Sequence, residues 1–176
     1  MKLSKKNQEV ISKMAAAHGQ NRFSLPRISK VVLNTGVGDY KENRDVLARI
    51  EKEIAQIAGQ RPRPTQAKAS ISGFKTRKGE KIGFSVTMQG QRMWDFLDRL
   101  INIVFPRLRD FEGIAKKSFD KSNNFTVGIK EQIIFPEIDP NEATIPWGLS
   151  ITVVMKNAHD RNLVDEYLKN IGFVLQ

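Results

Sequence analysis

Two periods of apolar residues run along this chain, and they separate predicted helices from predicted strands. Apolar residues three and four positions apart predict four helices: 3–17, 44–58, 93–104 and a last one between Asp160 and Gly172. Alternating or short apolar runs predict four strands: 28–34, 82–89, 125–129 and 149–155. Gly59 is the expected end of the second helix, and Pro106 is the expected end of the third.

The order of these elements predicts the fold class. Helices and strands are interspersed, and the strand at 82–89 alternates strictly, which is typical of antiparallel sheets that bury only one face. Its apolar side chains, which are expected to be core, are Ile82, Phe84, Val86 and Met88. We therefore predict an α+β fold: a mostly antiparallel sheet with helices packed on one face and the other face open and polar. No repeat or linker divides residues 1–176, so a single domain is expected, with a protruding basic loop around 72–82.

The open face of the sheet is predicted to carry hydrogen-bond donors and no carboxylate. Nineteen Asp and Glu residues occur in the chain, and none falls at an outward strand position. The outward residues are expected to be Lys30, Asn34, Ser85, Thr87, Gln89, Asn124, Thr126, Lys130, Ser150, Thr152 and Lys156. Ser and Thr are also ordinary on any exposed strand, which is the simpler explanation for part of this set. Hydroxyl, amide and ammonium groups together suit phosphate oxygens and ribose 2′-hydroxyls.

The positive charge of the chain is concentrated in two short segments. The net charge is +10, and residues 1–30 and 60–81 each hold seven basic residues against one acidic residue. The second segment reads QRPRPTQAKASISGFKTRKGEK, and its prolines and glycines predict an extended segment held out from the folded body. For one such segment alone, a solubilising loop is the alternative explanation. Concentrated charge favours a polyanionic partner, and Lys5, Lys6 and Lys13 of the first helix are expected to meet phosphates.

Several kinds of chemistry are excluded or disfavoured by the residues present. The chain has no cysteine, which excludes disulfides and thiolate metal sites, and it has no recognisable metal-ligand or catalytic motif. No apolar run is long enough to span a membrane, and the N-terminus lacks a signal-peptide core, so a soluble intracellular protein without a membrane partner is expected. His18 and His159 lie at predicted helix ends. We therefore predict no catalytic residue, no metal and no cofactor.

One alternative is an enzyme that handles phosphate at the turn Gly36-Val37-Gly38. This turn follows a strand and precedes a helix, as a dinucleotide-binding loop does, but Lys41 stands where that fingerprint has its third glycine. Asp39 is the one acid or base beside the turn. Because an isolated Gly-x-Gly is typical of a tight turn, an enzyme is not expected.

Five sequence blocks, in their order along the chain, resemble one protein family. They are PRISKVVLNTGVG, AGQRPRPTQAKASISGFKTRKGEKIG, RMWDFLDRLINIVFPRLRDFEGI, SFDKSNNFTVGIKEQIIFPEI and the closing strand GLSITVV. They resemble the uL5 family, the 5S-rRNA-binding proteins in the central protuberance of the large ribosomal subunit, in its bacterial or organellar form. The resemblance spans roughly residues 22–172. Residues 1–21, the loop within SFDKSNNFTVG and the C-terminal GFVLQ depart from the family's usual sequence.

The resemblance implies an antiparallel sheet backed by helices and a structural role in the large subunit. The implied partners are 5S rRNA, large-subunit rRNA, P-site tRNA and a small-subunit head protein at an intersubunit bridge. It implies RNA contacts for Asn34, Gln60, Thr65 and Thr87. Together with the outward face, the predicted 5S rRNA site is Lys30, Asn34, Gln60, Thr65, Lys68, Ser85, Thr87, Gln89 and Lys156. The basic loop matches the family's protruding loop, which implies tRNA contacts for Phe74, Lys75, Arg77, Lys78 and Lys81.

A free-standing RNA-binding regulator or RNA chaperone, using the same surface outside the ribosome, is the alternative that remains open. In the leading interpretation the chain is located on cytoplasmic ribosomes, or in an organellar matrix if an organelle encodes it.

Overall fold

The structure, a computed structural model, describes residues 2–40, 43–74, 76–109, 111–141 and 145–176. These residues form a five-stranded antiparallel sheet and a set of helices, which confirms the predicted α+β class. The strands are β1 (Arg27–Gly36), β2 (Arg63–Gln66), β3 (Lys81–Met88), β4 (Phe125–Ile129) and β5 (Leu149–Lys156), in the sheet order β2-β3-β1-β5-β4. The helices are α1 (Leu3–His18), α2 (Arg44–Ala58), α3 (Gly90–Arg99), α4 (Phe105–Arg107) and α5 (Arg161–Ile171). In the part of the chain that the structure describes, none of the helices has the length and apolar character that a membrane span needs.

The second and last helices begin and end where the sequence indicates. Asn43 precedes α2, and its side-chain oxygen accepts hydrogen bonds from two backbone N–H groups of the first turn. The side chain of Asp160 caps α5 by accepting from the N–H of Asn162. Gly59 ends α2 with a φ of 66°, in the left-handed region that glycine adopts without a Cβ clash.

The third helix departs from the prediction at both ends. It begins at Gly90 and continues beyond α3 through a π-helical turn, Leu100–Val104, into α4. Pro106, its predicted end, therefore lies within a further helical turn. In the π-helical turn the N–H of Phe105 donates to the carbonyl of Leu100, five residues earlier. The α-helical hydrogen-bond pattern is therefore already interrupted just before Pro106, which has no N–H group to donate.

The structure adds one strand, β2, to the predicted set. β2 pairs antiparallel with β3, and all four of its residues are exposed, so it has no apolar side that would reveal it in the sequence. It lies at the edge of the sheet, which is where a proline such as Pro64 is tolerated in a strand. The first part of the basic segment 60–81 is therefore extended, as predicted, but it belongs to the sheet and is not held out from the folded body.

The predicted alternation of β3 is confirmed over most of its length. Phe84, Val86 and Met88 are buried, with 2% or less of each residue exposed. Ile82, which is predicted to be core, is 36% exposed, so that prediction is wrong. Ile82 lies beside the register shift near the end of β2 and lines an open cleft there.

The described chain divides into two compact units. Unit one consists of residues 1–31, 88–127 and 152–176, and unit two consists of residues 32–87 and 128–151. The single domain expected for the whole chain stays a prediction.

The interior of unit one is centred on buried aromatic side chains. The Tyr167 hydroxyl of α5 donates to Asn7 Oδ1 of α1 at 2.6 Å and accepts from the N–H of Ile28 at 3.3 Å. Burial raises the pKa of Tyr167 above its ordinary value. Phe173 packs edge-on against Phe125 with ring centroids 5.3 Å apart. The two hydrogen bonds of Tyr167 tie α1, α5 and the first residues of β1 together.

The interior of unit two contains a buried polar cluster. Trp147 Nε1 donates to Glu53 Oε2 at 2.6 Å, and Gln132 Nε2 approaches the same oxygen at 3.4 Å. Gln132 Oε1 in turn accepts from the backbone N–H of Trp147 at 3.0 Å. A buried carboxylate requires such donors, because water no longer solvates it. The cluster joins α2 to the segment that precedes β5.

Candidate nucleic-acid interface

The outer surface of unit two is built around the β2–β3 pair. In its register Arg63 is opposite Ser85, and Thr65 is opposite Gly83. Opposite residues share a face, as do alternate residues along a strand, so the two β2 residues point to the same side as Ser85 and Thr87. Ser85 is half-buried and the other three are exposed. The pair thus presents one guanidinium and three hydroxyl groups, which we call the β2–β3 surface.

Gly83 is required within this surface. A Cβ atom at this position would lie 2.6 Å from the carbonyl oxygen of Thr35 and 2.7 Å from Oγ1 of Thr65. The first of these atoms belongs to the backbone, which cannot rotate away as a flexible side chain does. The glycine therefore permits the close approach that lets Thr65 lie against β3.

Three further predicted RNA-binding residues lie in unit two in different surroundings. Gln60 Nε2 donates to the carbonyl oxygen of Thr87 at 3.0 Å, so this amide joins the segment after α2 to the β2–β3 surface. Asn34 is exposed, and its carbonyl oxygen accepts from Ser150 Oγ at 3.3 Å. Lys68 is exposed and lines an open cleft of about 490 Å³. The structure thus brings Gln60 to the predicted strand residues.

The loop that connects β2 to β3, residues 67–80, has its own hydrogen-bonded frame. The backbones of Ile71 and Thr76 bond to each other in both directions, at 3.0 and 3.2 Å. The Glu80 carboxylate accepts from the backbone N–H of Arg77 at 2.9 Å. The acidic residue of this loop is therefore bonded within the loop, beside the cations.

The residues predicted to contact tRNA lie on this loop or at its end. Arg77 and Lys78 are exposed, and Lys81 is exposed at the first position of β3. Phe74 ends a short 3₁₀ turn. Lys75 lies outside the described residues. The structure therefore holds three of the predicted cations on one short stretch of chain.

Arg63 is a candidate that sequence reasoning missed. It stands between two prolines, in a segment that is not predicted to pair, so nothing in the pattern assigned its side chain to a face. The register with β3 makes that assignment. The available signal was its position two residues before Thr65, because alternate residues of a strand point to the same side.

Unit one carries the other three predicted RNA-binding residues. Lys30 is half-buried on β1, and Lys156 is exposed at the last position of β5. Gln89 is exposed at the N-cap position of α3, and its side chain makes no hydrogen bond to the helix. On the neighbouring strands Thr126 and Thr152 bond to each other through their Oγ1 atoms at 2.9 Å. Unit one therefore presents both cations and hydroxyls at its strand positions.

The three lysines of α1 have different surroundings. Lys6 Nζ donates to the carbonyl oxygen of Ile171 at 2.7 Å, at the C-terminal end of α5, where a cation is favourable. Lys6 therefore stabilises the contact between the two helices. Lys5 and Lys13 are exposed, and they are the better candidates for phosphate contacts.

Among the described residues, no outward strand position of either unit holds a carboxylate. Asp120 lies in the turn before β4, and the Asn124 side chain and the N–H groups of Asn124 and Ser122 donate to it at 2.8 Å. The hydrogen bond from the Asn124 side chain is the largest cause that lowers the pKa of Asp120. This negative charge is therefore stabilised within its own turn.

The turn at Gly36-Val37-Gly38 does not resemble a phosphate site. Val37 is buried. The N–H groups of Asp45 and Val46, in the first turn of α2, donate to the side chain of Asn43 at 3.2 Å. A phosphate at this helix N-terminus would have to displace that cap.

Two family models together match most of the chain. The model described as ribosomal protein L5 matches residues 21–77, and the model of the C-terminus of the ribosomal L5 family matches residues 81–174. The second match alone covers more than half of the 176 residues.

A curated relative agrees with these matches. The large ribosomal subunit protein uL5 of Thermus aquaticus is 50% identical over 154 residues, which are 88% of this chain and 84% of that protein. Proteins of this family are structural, non-enzymatic components of the ribosome. The resemblance predicted from the five sequence blocks is thereby confirmed, and the chain belongs to the uL5 family of ribosomal proteins.

Proposed function

We propose that this chain binds 5S rRNA and helps to attach it to the large ribosomal subunit, of which uL5 proteins are structural constituents. The observation that carries the proposal is the β2–β3 surface. There Arg63 lies beside three hydroxyl groups with no carboxylate at the outward strand positions described. A guanidinium can hold a phosphate with two hydrogen bonds, and hydroxyls can donate to phosphate or accept from a ribose 2′-hydroxyl.

The half-buried Lys30 and the exposed Lys156 of unit one support the same partner. Neither lysine has an acidic residue at a neighbouring outward strand position. Contacts of this kind fix the orientation of an RNA without reading its bases. Specificity for 5S rRNA would then come from the shape of the RNA and from its unpaired nucleotides.

A second part of the proposal assigns the loop of residues 67–80 to P-site tRNA. Its hydrogen-bonded frame presents Arg77 and Lys78 to solvent, with Lys81 directly after it. Different tRNAs enter and leave the P site in turn. Lys and Arg contacts to phosphate suit such exchange, because they do not depend on the sequence of the RNA. The contact with a small-subunit head protein rests on the family alone, and no residue is assigned to it.

Replacement of Lys75, Arg77 and Lys78 together by Ala tests the loop. We expect normal 5S rRNA binding and subunit assembly, with weaker retention of tRNA in the P site of assembled ribosomes. The matched control replaces Lys116 and Lys117, two exposed lysines of unit one, by Ala. Failure of 5S rRNA binding in the triple variant would assign the loop to the rRNA-binding surface.

Sedimentation of cell extracts in a sucrose gradient tests the ribosomal role itself. A structural constituent is expected to remain with large subunits after a high-salt wash. A free-standing RNA regulator would be released by the wash, because it would meet the subunit through only a few phosphate contacts, and these weaken steeply with salt.

A further inference from the structure

Phe23 is the most exposed large apolar residue among those that the structure describes. It is 73% exposed, on the connection between α1 and β1, whereas most phenylalanines of the chain are in the interior. A single exposed apolar residue is common on a protein surface and needs no explanation by itself. What distinguishes Phe23 is how its backbone is held and which loops are hydrogen-bonded to its turn.

The backbone of Phe23 is fixed by hydrogen bonds on both sides. Its N–H donates to Asn21 Oδ1 at 3.0 Å, and its carbonyl oxygen accepts from Asn157 Nδ2. Ser24 closes the same turn, because its N–H and its Oγ both donate to the carbonyl oxygen of Asn21, at 2.9 and 2.7 Å. The ring is therefore presented to solvent from an ordered turn, so little further ordering is needed when a ligand binds.

Two asparagines join this turn to two other loops of unit one. Asn157 and Asn123 have φ angles of 57° and 58°, in the left-handed region that asparagine tolerates better than most residues. Asn123 Nδ2 donates to the carbonyl oxygen of Ala158 at 2.7 Å, as Asn157 does to that of Phe23. Residues 21–24, 120–124 and 156–160 thus form one hydrogen-bonded group, which we call the three-loop surface.

The exposed charges of the three-loop surface are mainly positive. Arg22, Lys121 and Lys156 are all exposed. The carboxylate of Asp120 accepts hydrogen bonds within its own turn, and that of Asp160 caps α5. The turn that carries Phe23 is therefore hydrogen-bonded to loops that carry exposed cations, while both carboxylates of these loops are engaged in local structure.

We propose that the three-loop surface is a stacking site for an unpaired nucleobase of RNA. The base stacks on the ring of Phe23, and Arg22, Lys121 and Lys156 bind the phosphates on either side of it. Unpaired RNA bases commonly stack on aromatic side chains, and cations nearby hold the backbone. This inference rests on the proposed RNA-binding function and adds a specific contact to it.

The cations favour RNA over a protein partner. A protein interface core would surround Phe23 with further apolar side chains, because charged residues are depleted there. The residues next to Phe23 in its own turn are instead Asn21, Arg22 and Ser24, all of them exposed.

Four variants test the stacking role against purified 5S rRNA. Phe23→Ala and Phe23→Leu are expected to weaken binding about 5- to 100-fold, because both remove the flat ring. Phe23→Trp should keep or improve the affinity. Val174→Ala, at another exposed apolar residue of unit one (57% exposed), is the matched control and should bind as the unmodified chain does. Equal affinity of the Ala, Leu and Trp variants would overturn the proposal, and so would full retention by Leu, which preserves an apolar contact without a ring.

A fluorescence measurement tests stacking independently of 5S rRNA. In Phe23→Trp, the emission beyond that of Trp94 and Trp147 comes from the new side chain. A short single-stranded RNA of mixed sequence should quench this emission, and the same RNA annealed to its complement should not. Quenching without 5S rRNA binding would overturn the proposed function and leave the stacking site supported. Normal 5S rRNA binding without quenching by either RNA, and with no loss in Phe23→Ala, would overturn the stacking site alone.

Discussion

The two sides of strand β3 differ in burial and in chemistry, although their residues alternate along one short segment. Phe84 and Val86 are each 2% exposed, whereas Thr87 is exposed and Ser85 is half-buried. Folding removes the inner side chains from water and leaves the outer ones largely in it, so the inner ones dominate the free energy of unfolding. Stability and RNA binding should therefore respond to separate substitutions on the same strand.

The largest effect is expected from Phe84→Ala, which tests the inner side of this comparison. Loss of a buried aromatic ring should lower the free energy of unfolding by about 3–5 kcal/mol in denaturant titrations. Ile82→Ala is the matched control, because Ile82 lies two residues before Phe84 in the same strand but is 36% exposed. It should cost less than about 1 kcal/mol. Equal losses at the two positions would mean that β3 does not bury one side as described.

A smaller loss of stability is expected from Trp147→Phe. This variant tests whether the buried polar groups of unit two also contribute to stability. The change removes the Nε1–H that donates to Glu53 Oε2 at 2.6 Å. A buried carboxylate that loses a donor should cost about 1–3 kcal/mol. Trp94→Phe, at the half-buried tryptophan of α3, is the control and should cost less. No difference between the two variants would show that the Glu53 cluster contributes nothing to stability.

The next prediction concerns surface cations that should affect binding and not stability. Lys5→Gln and Lys13→Gln are each expected to reduce the slope of log affinity for 5S rRNA against log salt by roughly one unit per lost phosphate contact. Lys6→Gln should instead lower the melting temperature, because Lys6 Nζ donates to the carbonyl oxygen of Ile171. Deletion of α1 would not be a clean test, since Leu3, Val10 and Met14 of this helix are buried. An unchanged slope in both exposed-lysine variants would mean that α1 faces protein or solvent.

The smallest effect is expected at Asp120, which lies in the turn before β4. Unlike the exposed residues of β3, this exposed residue is expected to contribute to stability. Its pKa in the folded chain is lowered, so its contribution is present above the ordinary value of 3.8 and is lost as the pH falls through the lowered pKa. Asp120→Asn should therefore melt slightly below the unmodified chain at neutral pH and equally at low pH. A difference in melting temperature that does not change with pH would contradict this role.

Much of the fold was predictable because its signals are local. The cap at Asp160, the glycine after α2 and the alternation of β3 each lie within a few residues of the element that they define. β2 was not predictable in this way. All of its residues are exposed, and only its partner strand makes it a strand. Pro106 was misleading because a π-helical turn precedes it, and no local pattern indicates such a turn.

The candidate site was predictable only in part, because some of its residues are brought together only by tertiary contacts. The outward position of Thr87 follows from alternation alone, and its exposure agrees with it. Arg63 required the register of β2, and the surroundings of Phe23 required hydrogen bonds between loops that are more than a hundred residues apart in sequence. Residues that are brought together by tertiary contacts leave no periodic signal in the chain.

The most direct test of the account measures binding of purified 5S rRNA, and of an unrelated RNA of the same length, over a range of salt concentrations. The unmodified chain should prefer 5S rRNA throughout, whereas Thr87→Glu in unit two and Lys156→Glu in unit one should each lose about 5-fold or more in affinity. A new carboxylate at either position repels nearby phosphates but remains exposed, so the melting temperature should barely change. If both variants bind 5S rRNA as the unmodified chain does, or if the chain binds the two RNAs equally, the outward strand residues are not the 5S rRNA site.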